Sequence, residues 1–372
     1  MSSCTHSNRW SRILDSLRLP LVQAPMAGGA TPPALVAAVS EAGGLGSLAG
    51  ALLSPDRLEA DVAAIRSRTP APFAVNLFIL PSVLEVDDQA VEVALRHLAP
   101  LHLALGLPPP AVPSRWCEDF AAQFETVLRL APPVVSFTFG VLTPAQVHLL
   151  HEADCCVVGT ATSLEEGEAW VAAGADAVCA QGVEAGGHRG GFLGEDANLG
   201  TLALARLLVQ RLPVPVIASG GIMDGAGMAA ALALNASACQ LGTAFLRCPE
   251  CGIAPAWKAA LATADASSTR LTRAFSGRWA RGLENDYMRR MAPVQADLPA
   301  YPVMNALTGA LRAEATRQGN TACMSLWAGQ GVALGRALPV AELVATLAEE
   351  LATAGQALAG GGKGRLNRVL SD

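Results

Sequence analysis

Aromatic side chains are scarce, making up 5% of a 372-residue chain in which 51% of residues are hydrophobic. Ala, Leu, Val and Gly therefore carry the apolar content, which favours helices packed closely on a sheet and a well-buried core. No uninterrupted apolar run reaches the ~18 residues of a membrane span, so no membrane partner is expected. Met1 to Leu19 mixes Arg12, Asp15 and Arg18 with polar residues and lacks the apolar centre of a signal peptide. There is no dense Lys/Arg block, and the formal net charge of −6 argues against a nucleic-acid surface. The nine cysteines, an odd number scattered along a large chain, read as reduced thiols in a cytoplasmic protein. Cys248-Pro249-Glu250-Cys251 has metal-site spacing, but no second pair or nearby histidine completes it, and no metal is expected.

What is present is a regular alternation. Short apolar runs at 20–26, 45–48, 73–78, 133–139, 155–160, 176–180, 215–219 and 238–241 read as buried strands, and helical patterns separate them. Thr31-Pro32-Pro33 reads as a helix cap with proline at the first positions. Ser163 caps a helix with Glu165, Glu166 and Glu168 near its positive end, and Gly174 ends it. Eight such units is the count of an α/β (β/α)8 TIM barrel. A doubly wound sheet is the alternative, but no GxGxxG follows the first strand. The barrel is expected over residues 1–248, with an insertion at about 80–131, since that segment is too long for an ordinary connection. Residues 249–334 read as a smaller, mostly helical lid. Residues 335–372 read as a C-terminal helix returning to the barrel through Leu343, Val344, Leu347 and Leu351, followed after Gly360-Gly361-Gly362 by a mobile basic tail.

In such a barrel, functional groups sit where strands run into the following loops. The uncommon residues fall there: Ala24, Pro25 and Met26 before Ala27-Gly28, then Asn76, Phe137-Thr138-Phe139-Gly140, Gly220-Gly221 and Gly242-Thr243. The stretch from Gln181 to Phe192 holds five glycines and one histidine, His188. Glycines after strands often only make turns, and a core-satisfying role for Asn76 and Gln181 is the lesser alternative. The glycines at 220, 221 and 242 can also aim backbone N–H groups at a phosphate, and Thr243 adds a hydroxyl. Amides that both donate and accept suit the mixed edge of a flavin or nucleobase better than a metal. A histidine in that loop can exchange a proton near neutral pH. Together these point to a phosphate-bearing planar cofactor, with FMN first.

The chain resembles the FMN-dependent nitronate monooxygenases, once called 2-nitropropane dioxygenases. The carrying motifs are QAPMAGGATPPALVAAVSEAGGLGS from Gln23, NLF from Asn76, SFTFG from Ser136, QGVEAGGHRGGF from Gln181, ASGGIMDG from Ala218 and QLGTAFL from Gln240. The likeness is close over about 20–250 and extends to LWAGQG from Leu326. Gly28-Gly29-Ala30-Thr31 departs from the Val and Ser often expected there. The resemblance implies non-covalent FMN, with Ala24, Pro25 and Met26 lining its ring and Asn76, Gln181 and Gly186 hydrogen-bonding around it. Gly220, Gly221, Gln240, Leu241, Gly242 and Thr243 would complete the cofactor site, the glycines and Thr243 at the phosphate. His188 would be the general base or a substrate-positioning group, with Tyr301 and Trp327 as substrate contacts.

The implied activity is oxidation of a small alkyl nitronate, propionate 3-nitronate favoured, with O2 as co-substrate and a carbonyl compound plus nitrite or nitrate as products. Detoxification of nitro compounds is the expected role. Arg189 reads either as an attractor of anionic substrate or as a solvated loop residue. The alternatives are an NAD(P)H-dependent enoyl reductase, which shares the fold and a similar glycine-histidine loop, and a flavin-binding module without turnover. None of these features sets an oligomeric state.

Overall fold

The apolar runs are too short for helices and carry no polar alternation, and they form strands buried on both faces, as in Cys156–Ala161 and Val216–Ser219. The structure is a computed structural model that describes residues 9–194 and 197–369, with side chains as far as residue 359. The first residues of the N-terminal segment (1–8), two loop residues (195–196) and the end of the expected tail (370–372) lie outside the described residues.

Helix α1 (Arg9–Ser16) precedes β1 (Leu21–Gln23), α2 (Pro33–Glu41), β2 (Gly46–Ala49), α3 (Pro55–Arg66) and β3 (Phe73–Phe78). There follow α4 (Asp88–Ala104), α5 (Phe120–Leu130), β4 (Val134–Thr138), α6 (Pro144–Glu152), β5 (Cys156–Ala161) and α7 (Leu164–Ala173). Next come β6 (Ala177–Gln181), the two-residue β7 (Gly187–His188), α8 (Thr201–Arg211), β8 (Val216–Ser219), α9 (Gly225–Ala233) and β9 (Ala238–Leu241). The remainder holds α10 (Pro255–Thr263), β10 (Thr269–Thr272), β11 (Ala280–Leu283), α11 (Asp286–Met291), α12 (Val303–Leu307), α13 (Gly309–Gln318) and α14 (Val340–Val369).

Eight strands form one parallel sheet in the order β1-β9-β8-β6-β5-β4-β3-β2. The Leu45 N–H donates to Leu21 O at 2.8 Å and the Gln23 N–H to Leu45 O at 2.9 Å, which brings β1 beside β2 and closes the ring. The barrel is therefore the (β/α)8 type expected. Its wall is stopped and started by local chemistry: Ser54, Ser163 and Asp224 each accept the N–H three residues on at the starts of α3, α7 and α9. Thr31 does not cap α2 as expected. Pro32 takes the capping position without a side-chain bond, and the Thr31 hydroxyl instead donates to Met26 O and accepts from Ala49 N–H. It thereby ties the loop after β1 to β2.

Two cores result. One lies between the sheet and the outer helices. The other fills the base of the barrel, where Val22, Leu45, Ala74, Val134, Ile217 and Ala238 point inward beneath Trp10 of α1. Trp10 is fully buried, and its indole N–H donates to Ser237 Oγ at 3.0 Å. The base is thus plugged with apolar groups, and the opposite mouth is left to polar ones.

Of the segment at 80–131, α5 packs on β3 and α3 as an ordinary wall helix, whereas α4 reaches α12. Helix α14 packs between α9 and α2, filling the wall after the long excursion from β9. It does not break at Gly360–Gly362: the tail expected to be mobile is helix as far as Val369. Each glycine costs a helix about 1 kcal/mol, but one already nucleated on a wall gains a bond per added residue. The region after 249 is not only helical. Strands β10 and β11 pair antiparallel, and β11 pairs with β7, setting Ala280 opposite His188 and Arg281 opposite Gly187. Among the described residues no helix is long and apolar enough to cross a membrane.

Trp10→Ala removes the largest part of the basal plug, and a loss of about 3–5 kcal/mol of unfolding free energy in urea is expected. A loss below about 1 kcal/mol would show that α1 is not part of the barrel core.

Candidate active site

A cavity of about 600 Å³ opens at the mouth of the barrel, where the strands end. Ala24, Pro25, Met26, Asn76, Gln181, Gly186, His188, Gly220, Gly221, Gln240, Gly242, Thr243, Tyr301 and Trp327 all line it. Leu241 does not. Alternation along β9 turns Gln240 inward and Leu241 into the outer core, where it is 1% exposed.

After β8 the backbone turns through two left-handed residues, Gly220 at φ 123° and Gly221 at φ 71°. A Cβ on Gly220 would also stand 2.6 Å from Thr201 Oγ1. Among the described residues none accepts a hydrogen bond from the N–H of Gly220, Gly221 or Gly242. Uncommitted backbone donors at a cavity rim suit an anionic oxygen, so these glycines fit a phosphate. Thr243 Oγ1 accepts from Gly329 N–H at 2.9 Å, which fastens the LWAGQG loop to the same rim.

The two amides behave differently. Asn76 Nδ2 donates to Ser136 O, Ser136 Oγ and Thr138 Oγ1 at 3.2, 3.0 and 3.3 Å, and its Oδ1 has no protein donor among the described residues. Gln181 is engaged at both ends within its own loop. Its Nε2 donates to His188 O at 3.0 Å, and its Oε1 accepts from Gly190 N–H at 2.7 Å and from Arg189 Nη1 at 3.1 Å.

Arginines hold the glycine-rich loop by its carbonyls. Arg189 is neither solvated nor in the cavity lining: it is 3% exposed and donates to Gln181 O and Gly182 O. Arg281 donates to Val183 O at 2.9 Å, and Arg278 donates to Arg189 O and Gly191 O. Glu166 accepts from the N–H groups of Phe192 and Leu193. Gly186 permits close approach, since a Cβ there would meet Ala328 and Gly329 backbone at 2.6 Å.

This scaffold presents His188 within a cage of rings. Their centroids lie 5.7 Å away for Phe139, 5.7 Å for Tyr301, 5.6 Å for Trp327 and 6.4 Å for Phe78. Phe139 takes φ 76°, a strained conformation for a bulky residue, and its ring lies 4.0 Å beneath the Arg278 guanidinium. His188 Nε2 is 2.8 Å from Ser276 Oγ. Burial, reinforced by Arg278 and Arg312, lowers the imidazole pKa from 6.5 to about 3, so the ring is neutral at neutral pH.

The single Ser276 proton selects the tautomer. Donated to Arg278 O at 3.1 Å, it lets His188 carry its own proton on Nε2 and turn a bare Nδ1 outward. Donated to Nε2, it leaves an Nδ1–H donor. Nδ1 has no hydrogen-bond partner among the described residues and is not sealed from the cavity. Tyr301 and Trp327 thus lie beside the histidine. Ser276, Arg278 and Arg312 belong to no quoted motif; Phe78 lay inside NLF without a reason to be singled out, and Phe139 stood among the uncommon residues at the strand ends with no role attached to it.

A model of the nitronate monooxygenase family matches residues 11–350 of the chain. A nitronate monooxygenase of Pseudomonas aeruginosa is 45% identical over 353 residues, covering 93% of this chain and 99% of that protein. Among solved structures, a nitroalkane oxidase from Streptomyces ansochromogenes is similar at a TM-score of 0.88 and 42% identity, covering 93% of this chain and 99% of that one. FabK from Thermotoga maritima is similar at a TM-score of 0.74 and 28% identity, covering 95% and 98%.

The depressed histidine has a measurable consequence. As pH falls from 6.5 towards about 3, the unfolded chain binds a proton that the folded imidazole refuses, so His188 withdraws stability over that window and none above it. Urea midpoints of His188→Gln are expected to fall less between pH 7 and pH 5 than those of the unaltered protein. Equal falls would show that the folded imidazole titrates normally.

Proposed function

The chain belongs to the nitronate monooxygenase family of oxidoreductases, and from that premise we propose that its cavity holds FMN non-covalently and that it oxidises alkyl nitronates with O2 as co-substrate. Propionate 3-nitronate is the favoured substrate by family resemblance, with a carbonyl compound plus nitrite or nitrate as products. Nitro-compound detoxification in the cytoplasm is the corresponding role; free thiols at all eight described cysteines suit a reducing compartment.

One observation carries the reading. A single cavity presents uncommitted glycine N–H groups after β8 and β9 together with a neutral histidine in an aromatic cage. Bound FMN would supply the electron acceptance and the chemistry with O2. The protein's residues then have separate tasks. Gly220, Gly221, Gly242 and Thr243 would hold the phosphate, Ala24, Pro25 and Met26 would line the ring, and Asn76 Oδ1 would meet its polar edge. The rings of Phe78, Phe139, Tyr301 and Trp327 would exclude water from the reacting carbon.

The two tautomers of His188 correspond to two tasks. A bare Nδ1 accepts the α-proton of a neutral nitroalkane, while an Nδ1–H donates to the oxygens of a nitronate already formed. A ring whose conjugate acid lies near pH 3 is a weak base, which favours the nitronate as the easier substrate.

His188→Asn should therefore lower nitroalkane turnover by about 10²–10⁴ and nitronate turnover far less; equal, minor losses would sink the base assignment. For the function as a whole, the purified protein should be yellow and take up oxygen with propionate 3-nitronate. A colourless protein that does not bind added FMN would refute it. Rapid bleaching by NADPH without air would favour the reductase instead.

A further inference from the structure

Among the described residues the cavity lining carries one charged side chain, Arg312 of α13, and no Asp, Glu or Lys. Neutral oxygens alone fix its guanidinium. Nε donates to Thr308 Oγ1 at 3.1 Å, and Nη2 donates to the main-chain and side-chain oxygens of Asn305 at 2.8 and 2.9 Å. Nη1 has no hydrogen-bond partner among the described residues and is not sealed from the cavity. Burial lowers its pKa, and no carboxylate is among the groups that act on its charge. A largely desolvated cation without a counter-ion is costly, and the cost is relieved when an anion enters beside it.

The position of this cation is informative. Arg312 acts on the His188 side of the cavity, close enough to help depress that imidazole, while the glycine donors follow β8 and β9. Gly309, one turn earlier on the same lining face, would place a Cβ in open space with nothing within 4 Å. A ligand lying near His188 therefore has room alongside α13, with a planar fork presented to it.

We propose that Arg312 is a specificity-determining residue, its guanidinium receiving a carboxylate that the substrate carries away from its reacting carbon. This rests on the nitronate reading of the site. A nitronate is itself anionic, so the competing assignment is that Arg312 binds the reacting group. The two differ in which substrates they affect.

The test compares FMN-loaded enzyme on propionate 3-nitronate and on propane 1-nitronate, which has the same carbons and no carboxylate. Arg312→Gln should lower kcat/KM for the first by about 10- to 100-fold, the range set by a lost charge-assisted hydrogen bond, and leave the second within about threefold. Arg312→Lys should recover most of the loss. Equal losses on both nitronates, or none on either, would overturn the proposal. Calorimetric titration of the holoenzyme with succinate, which replaces the nitronate by a second carboxylate over the same span, gives a readout without turnover. Binding that weakens by at least about tenfold in Arg312→Gln and recovers in Arg312→Lys supports the assignment, and binding unchanged by Arg312→Gln overturns it. If the unaltered enzyme oxidises neither nitronate, the nitronate reading fails while the succinate titration still decides the role of Arg312.

Discussion

The site depends on a two-residue pairing. Gly187 and His188 leave the barrel as β7 and join β11 of the region that covers the mouth. Without that pairing, a stretch with five glycines would have no fixed path. With it, the carbonyls of Gln181, Gly182, Val183, Arg189 and Gly191 find donors on Arg189, Arg281 or Arg278, and Gln181 closes the loop on itself through His188 O and Gly190 N–H. The conformational freedom that lets the chain approach Ala328 and Gly329 closely is removed by hydrogen bonds to buried charged groups, which are individually strong. Barrel and cover are therefore one unit at the histidine.

A second constraint is the division of the barrel interior along its axis. At the base, Trp10 and small aliphatic groups exclude water. At the mouth, Asn76, Ser136, Thr138, Thr160, Ser219 and Gln240 face the cavity, and among the described residues no carboxylate does. Such a lining repels no anion. Among the described residues its one charged side chain is a cation and its backbone donors after β8 and β9 have no acceptor, and its histidine is neutral. Charged groups such as Glu166 and Glu184 are close by, but each is turned to backbone N–H groups and threonine hydroxyls that it holds in place. The low dielectric of the aromatic cage strengthens whatever electrostatic contact a ligand makes there.

Much of this was readable along the chain. The count of barrel strands, the places where they end and the cap of α7 follow from short apolar runs, from Gly and Pro, and from Ser163 before its helix. Where local reading failed, a specific contact overrode it. Thr31 was drawn from a capping role to a bond with Met26 O. Gly360–Gly362 did not end a helix that the barrel wall had already nucleated. Leu241 could have been set aside from the alternation of β9 alone, since its neighbour Gln240 faces inward.

By itself, then, the sequence determined the barrel, its rim and the glycines that follow β8 and β9, because those depend on residues adjacent in the chain. Tertiary structure alone decided the state of the histidine. Ser276 lies 88 residues from His188, and Gly329 lies 86 residues from Thr243. The rings of Phe78, Tyr301 and Trp327 come from three separate parts of the chain. A side chain's pKa is set by burial and by charges within a few ångströms, whatever their distance along the chain, so no local pattern could record that His188 is neutral or that Arg278 and Arg312 both act on it.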